Sequence, residues 1–106
     1  DYNAAIEAVE AVDTQLGRLL EVLEAEGAHV IVTADHGNAD DMGTRERPHT
    51  AHTFNPAPFI YLGPDGTDGG FHIDEAGDLA DISPTLLSLL SIEQPAVMTG
   101  HSLLER

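Results

Sequence analysis

The run Val30-Ile31-Val32-Thr33-Ala34, followed at once by Asp35-His36-Gly37-Asn38, constrains this chain more than any other stretch. Its five residues are apolar or β-branched and show no polar alternation, which predicts a strand covered on both faces, as in a parallel sheet flanked by helices. In open sheets of that kind ligands gather beyond the carboxyl ends of the strands. Asp35 and His36 fall at that end, and Gly37 removes a side chain that would crowd it.

The flanking segments fit a layered α/β arrangement. From Asn3 to about Glu26, Ala5, Val9, Val12, Leu16, Leu19 or Leu20, and Leu23 recur at steps of three and four, which predicts a helix with one apolar stripe. Gly17 weakens its middle by about 1 kcal/mol relative to alanine or lets a neighbour approach closely, and Gly27 supplies a left-handed stop. Residues 38–55 have no period and read as a long loop, a length that is usually functional or mobile. Pro56 and Pro58 bracket the entry to a second short strand, Phe59-Ile60-Tyr61-Leu62. The stretch 63–70 is turn-rich. Leu79, Ile82, Leu86, Leu89 and Leu90 then mark a second amphipathic helix, with Ser83-Pro84 as cap and first turn, or an earlier start at Asp81 or Asp78. Pro95 is expected to end it, and Val97 to Leu104 form a tail that turns at Gly100. There is no internal repeat and no linker, so one domain spans 1–106.

Charge and cysteine usage exclude several classes of function. Nineteen acids face four arginines and no lysine, a formal net charge of −15. So acidic a surface repels phosphate backbones and anionic lipids, which argues against nucleic-acid and membrane partners. It is a well-hydrated face, an adaptation to salt, or a means of holding cations. Cysteine is absent, which removes disulfides, thiolate metal sites and cysteine nucleophiles. Neither a signal peptide nor a membrane span is encoded. The chain starts at Asp1 and enters a helical pattern directly, which points to a piece of a longer protein.

A carboxylate and an imidazole side by side at a strand end can reach one cation. They can equally be a turn-capping acid and a hydrogen-bonded histidine. His49-Thr50-Ala51-His52-Thr53 lies at the far end of the long loop and, if the two strands are neighbours, returns to the same edge. Asp35, His36, His49 and His52 could then supply one metal's ligands, unless the loop histidines simply face water. Asp40 and Asp41 are either partners that orient an imidazole or solvated loop acids. Arg45 and Arg47 suit a phosphate or carboxylate, or ordinary ion pairs. His29, His72 and His101 stand apart and read as structural or solvated.

The segments Thr33 to Met42 (T-A-D-H-G-N-A-D-D-M) and Pro48 to Pro58 (P-H-T-A-H-T-F-N-P-A-P) closely resemble the C-terminal part of cofactor-independent phosphoglycerate mutases of the alkaline phosphatase superfamily. The likeness extends to E-A-V-E-A-V-D at 7–13, L-A-D-I-S-P-T-L-L at 79–87 and M-T-G-H-S-L-L at 98–104, nearly the whole chain in order.

The resemblance implies a partial alkaline-phosphatase-like three-layer α/β fold, a sheet flanked by helices. It implies two divalent metal ions, usually manganese, around a serine nucleophile, and a phosphoserine that carries the phosphoryl group between the 3- and 2-hydroxyls of glycerate. Asp35 and His36 match the pair that holds the metal nearest that serine. His52 matches a ligand of the other metal, with His49 as the fallback. The isomerase so implied acts on phosphoglycerate in cytoplasmic glycolysis and gluconeogenesis. The family's serine, its D-x-x-G-H motif and its substrate-binding domain have no counterpart in this sequence, and Ser83, Ser88, Ser91 and Ser102 lie in the wrong contexts to replace the serine. The chain alone is therefore expected to be inactive, with the remainder of the mutase as its partner. Two readings stand beside this one: another phosphomutase or phosphatase of the same superfamily, and a non-catalytic unit that self-associates through an open sheet edge.

Overall fold

A computed structural model of the chain describes residues 2–37, 41–44, 46–47, 55–74 and 76–105. The chain divides into two compact units, Asp1–Asp65 and Gly66–Arg106.

The first unit opens with α1, Tyr2–Ala25. Its stop is a Schellman motif: Ala28 N–H donates to the Leu23 carbonyl at 2.9 Å and Gly27 N–H to the Glu24 carbonyl at 3.0 Å, with Gly27 at φ 68°. Gly17 is not a point of close approach, because a Cβ built there meets nothing within 4 Å. The turn at Gly27 leads directly into β1, Val30–Thr33, which pairs with β2, Phe59–Leu62.

That pairing is antiparallel, in the register Val30↔Leu62 to Thr33↔Phe59, and it corrects the expectation of a parallel neighbour. An unbroken apolar run reports burial of both strand faces. It carries no information about the direction of the adjacent strand, which the connecting segment decides. Within this unit Val30, Ile31 and Val32 are half-buried, and Tyr61 on β2 is the buried side chain, 6% exposed. The register also means that the chain leaves β1 and enters β2 at one end of the ladder. There the Thr33 hydroxyl donates to the Pro58 carbonyl at 2.7 Å.

The second unit is held by a polar hub. A 3₁₀ turn at Leu79–Asp81 runs into α2, Ile82–Leu89. Asp78, one of the possible starts, is the N-cap, in a capping box: its side chain accepts the Ala80 N–H at 2.7 Å, and the Asp81 carboxylate accepts the Asp78 N–H at 2.9 Å. Thr85, fully buried, donates its hydroxyl hydrogen to the Asp81 carbonyl at 2.7 Å and accepts the Leu103 N–H at 3.0 Å. Leu103 and Leu104 pack as the buried apolar residues of this unit.

α2 ends earlier than Pro95. Ser91 adopts φ 56°, and a second Schellman motif closes there, with Ile92 N–H donating to the Leu87 carbonyl and Ser91 N–H to that of Ser88. Pro95 instead opens a turn, its carbonyl accepting the Met98 N–H at 3.0 Å. The tail then passes so close to the 3₁₀ turn that a Cβ at Gly100 would fall on the Ala80 carbonyl, so only glycine fits. It finishes as β4, Leu104–Glu105, antiparallel to β3, His72–Ile73. The sequence reading assigns no element to residues 71–78, where β3 lies, and expects only a tail where β4 begins.

Candidate metal site

β1 delivers Asp35 and His36 to the point where the chain leaves the ladder. Asp35 Oδ1 lies 3.4 Å from His36 Nε2, with the histidine side chain 39% exposed and the carboxylate 77% exposed. His36 Nδ1 is 3.0 Å from the Gly37 carbonyl. A carbonyl oxygen only accepts, so Nδ1 carries the proton, and Gly37, itself buried, orients the ring.

This arrangement turns the second ring nitrogen toward a carboxylate oxygen. With Nε2 unprotonated, two lone-pair donors oppose each other, and a cation or a proton between them relieves the opposition. Ligands about 2.1 Å from one cation stand about 3.4 Å apart at the tetrahedral angle and about 3.0 Å apart at a right angle. The observed separation falls in that range, so the pair fits two ligands of one ion, and the Gly37 carbonyl performs the tautomer-fixing task that metal-bound histidines require.

The other expected ligands, His49 and His52, lie outside the described residues, as do Asp40 and Arg45. No cluster of three or more potential ligands forms among the described residues. Asp41 is engaged in a local turn, its Oδ1 accepting the Gly43 N–H at 3.1 Å. Arg47 closes a turn on Thr44, donating its backbone N–H to the threonine hydroxyl at 3.0 Å.

The remaining histidines are accounted for elsewhere. His29 lies next to β1 with its ring 6.0 Å from that of Tyr61 and its Nδ1 2.7 Å from the tyrosine hydroxyl, a diagonal cross-strand pair. His72 is exposed on β3. His101 stands between two carboxylates, Nδ1 3.4 Å from Asp81 and Nε2 3.5 Å from Asp74. Its backbone N–H donates to Asp81 Oδ1 at 2.9 Å. The Asp81 carboxyl is held below its usual range by the Asp78 amide and then the His101 amide, against the opposing effect of burial. The sequence reading treats Asp81 only as an alternative helix start. Its spacing from Asp78 is the one sequence signal of this hub.

Adjacent acid and imidazole donors after a strand, in a fold of mixed helix and strand, suit a metalloenzyme, and the pattern of the Metalloenzyme superfamily matches residues 1–94. The chain belongs to that superfamily, whose fold is alkaline-phosphatase-like. Among individual proteins, it is 65% identical over 105 residues to the 2,3-bisphosphoglycerate-independent phosphoglycerate mutase of Haloquadratum walsbyi, covering 99% of this chain and 21% of the relative. The protein of that name from Natronomonas pharaonis is 62% identical over 106 residues, covering 100% and 21%. A Pseudomonas fluorescens mutase of the same name is 47% identical over 105 residues, covering 97% and 20%. The chain thus spans about a fifth of the length of the curated relatives it matches.

Proposed function

We propose that this chain is the C-terminal part of the metal-binding domain of a phosphoglycerate mutase independent of 2,3-bisphosphoglycerate. That enzyme interconverts 3-phosphoglycerate and 2-phosphoglycerate through a phosphoserine. The observation that carries the reading is the identity of 65% and 62% to mutases over essentially the whole chain. The Asp35–His36 geometry supports it independently.

In this reading the domain completes a three-layer sheet-and-helix fold with the rest of the enzyme. Asp35 and His36 hold the metal nearest the serine, and His52 holds the second, with His49 as the alternative. Two divalent ions, manganese by the family's habit, would polarise the phosphoryl oxygens and lower the pKa of the serine hydroxyl. What supports the reading in this chain is that Gly37 sets the tautomer of His36 and that Asp35 and His36 follow the end of the ladder at which β2 begins. The nucleophile belongs to the remainder of the enzyme, so the 106-residue chain alone turns nothing over.

The test uses the longer enzyme. Asp35→Ala or His36→Ala should abolish manganese-dependent mutase turnover, by at least about 100-fold for a lost metal ligand, with the circular dichroism spectrum unchanged. Near-normal turnover in either variant removes the metal assignment.

A further inference from the structure

β1 breaks its own apolar pattern at its last residue. Val30, Ile31 and Val32 give way to Thr33, which has the shape of valine with a hydroxyl in place of one methyl. The register that pairs Thr33 with Phe59 would next pair Ala34 with Pro58. Proline has no N–H to give to a ladder, so the backbone pairing stops at Thr33. The Thr33 hydroxyl crosses the gap instead, donating to the Pro58 carbonyl at 2.7 Å. This side-chain bond extends the pairing one step beyond the backbone ladder, in the direction of Asp35 and His36.

Asp35 follows Thr33 by two residues, no more than about 7 Å of extended chain. Its carboxylate stands 3.4 Å from His36 Nε2, and the two donors can share one ion only while that separation holds. A strand end that loses its partner frays, and fraying at Thr33 would carry both donors with it. The Gly37 carbonyl orients the His36 ring from one side, and the Thr33 bond holds the backbone from the other.

We infer that Thr33 is a positioning residue for the metal site: its hydroxyl pins the end of β1, so that Asp35 and His36 keep the spacing that one divalent cation requires. The inference rests on the proposed reading of Asp35 and His36 as metal ligands. Thr33 and Pro58 are both exposed, and a hydrogen bond open to water adds little to global stability because water can replace either partner. A positioning role and a merely structural role therefore separate in measurement.

The experiment uses the longer enzyme, stripped of metal and titrated with manganese by calorimetry, with urea unfolding of the same metal-free proteins alongside. His36→Ala identifies the site by the binding it removes. Thr33→Val keeps the shape and suits a strand. It should bind manganese at that site about tenfold more weakly, as expected when a residue that orients a ligand is lost, yet unfold at the parental urea midpoint. Thr33→Ser, which restores the hydroxyl, should recover the parental affinity. Parental affinity in Thr33→Val overturns the inference. So does equal weakening in Thr33→Ser, which assigns the effect to the methyl group, and so does a lowered urea midpoint in Thr33→Val, which reduces Thr33 to a structural role. A site lost in His36→Ala but untouched in Thr33→Val removes the positioning role alone. Manganese binding that survives intact in His36→Ala removes the metal reading itself, and the inference with it.

Discussion

Two backbone amides, those of Asp78 and His101, converge on the Asp81 carboxylate at 2.9 Å each, and the residue is only 6% exposed. Both bonds favour the ionised form, so the folded carboxyl titrates below the ordinary value of 3.8. A depressed folded pKa means that Asp81 contributes stability above pH 3.8, and that this contribution is lost as the pH falls from there through the folded value. Asp81→Asn should therefore destabilise the chain near neutrality and lose that disadvantage progressively below about pH 3.8. Urea unfolding of the two proteins at pH 6 and at pH 3 measures the gap. An unchanging gap shows that the charge is irrelevant to the hub. At this scale the sequence makes Asp35 and His36 legible, because adjacent donors at a strand end need no long-range contact to be placed. It conceals the role of Asp81, whose partner His101 lies twenty residues away and approaches only because Gly100 lets the tail pass the 3₁₀ turn.

At the scale of elements, legibility follows the length of the periodic signal. α1 and α2 repeat their apolar positions over two turns or more, and β1 and β2 are unbroken apolar runs, so all four are visible in the sequence. β3 and β4 are two residues each, too short to show an alternation, and they exist because residues 72–74 and 103–105 are brought together by the hub around α2. The end of α2 is concealed for a different reason. A serine in the left-handed region costs roughly 1 kcal/mol or more, which makes glycine the residue that signals such a stop. The same argument gives a prediction for both helices. Ser91→Gly should stabilise the chain by about 1 kcal/mol by removing the left-handed penalty. Gly17→Ala, with open space around the new methyl, should add about 0.5–1 kcal/mol from helix propensity and a less flexible unfolded chain. Chemical denaturation of each single variant and the double variant checks both. Destabilisation by Gly17→Ala would show that an unseen neighbour packs at that glycine.

For the whole molecule, the balance lies between a limited set of buried apolar side chains, Tyr61, Leu103 and Leu104 among the described residues, and a net charge of −15. α1 alone carries five carboxylates, Glu7, Glu10, Asp13, Glu21 and Glu24, with Glu26 just beyond its end. Its single cation, Arg18, donates to Gln15 Oε1 at 3.0 Å. Repulsion among these groups opposes the compact state, and it reaches about 10 Å at 0.1 M salt but about 3 Å at 1 M. Folding should therefore strengthen as KCl rises across that range, with the melting temperature climbing by about 5 °C or more, which for a chain of this size corresponds to about 1 kcal/mol. Salt can also act by strengthening apolar burial, so the discriminating protein is Glu10→Gln/Glu21→Gln/Glu24→Gln. Removing three like charges from one helix should raise its melting temperature at 0.1 M KCl above that of the parent and flatten its dependence on salt. Parallel salt curves for the two proteins would assign the effect to apolar burial and remove charge repulsion as the force that limits this fold.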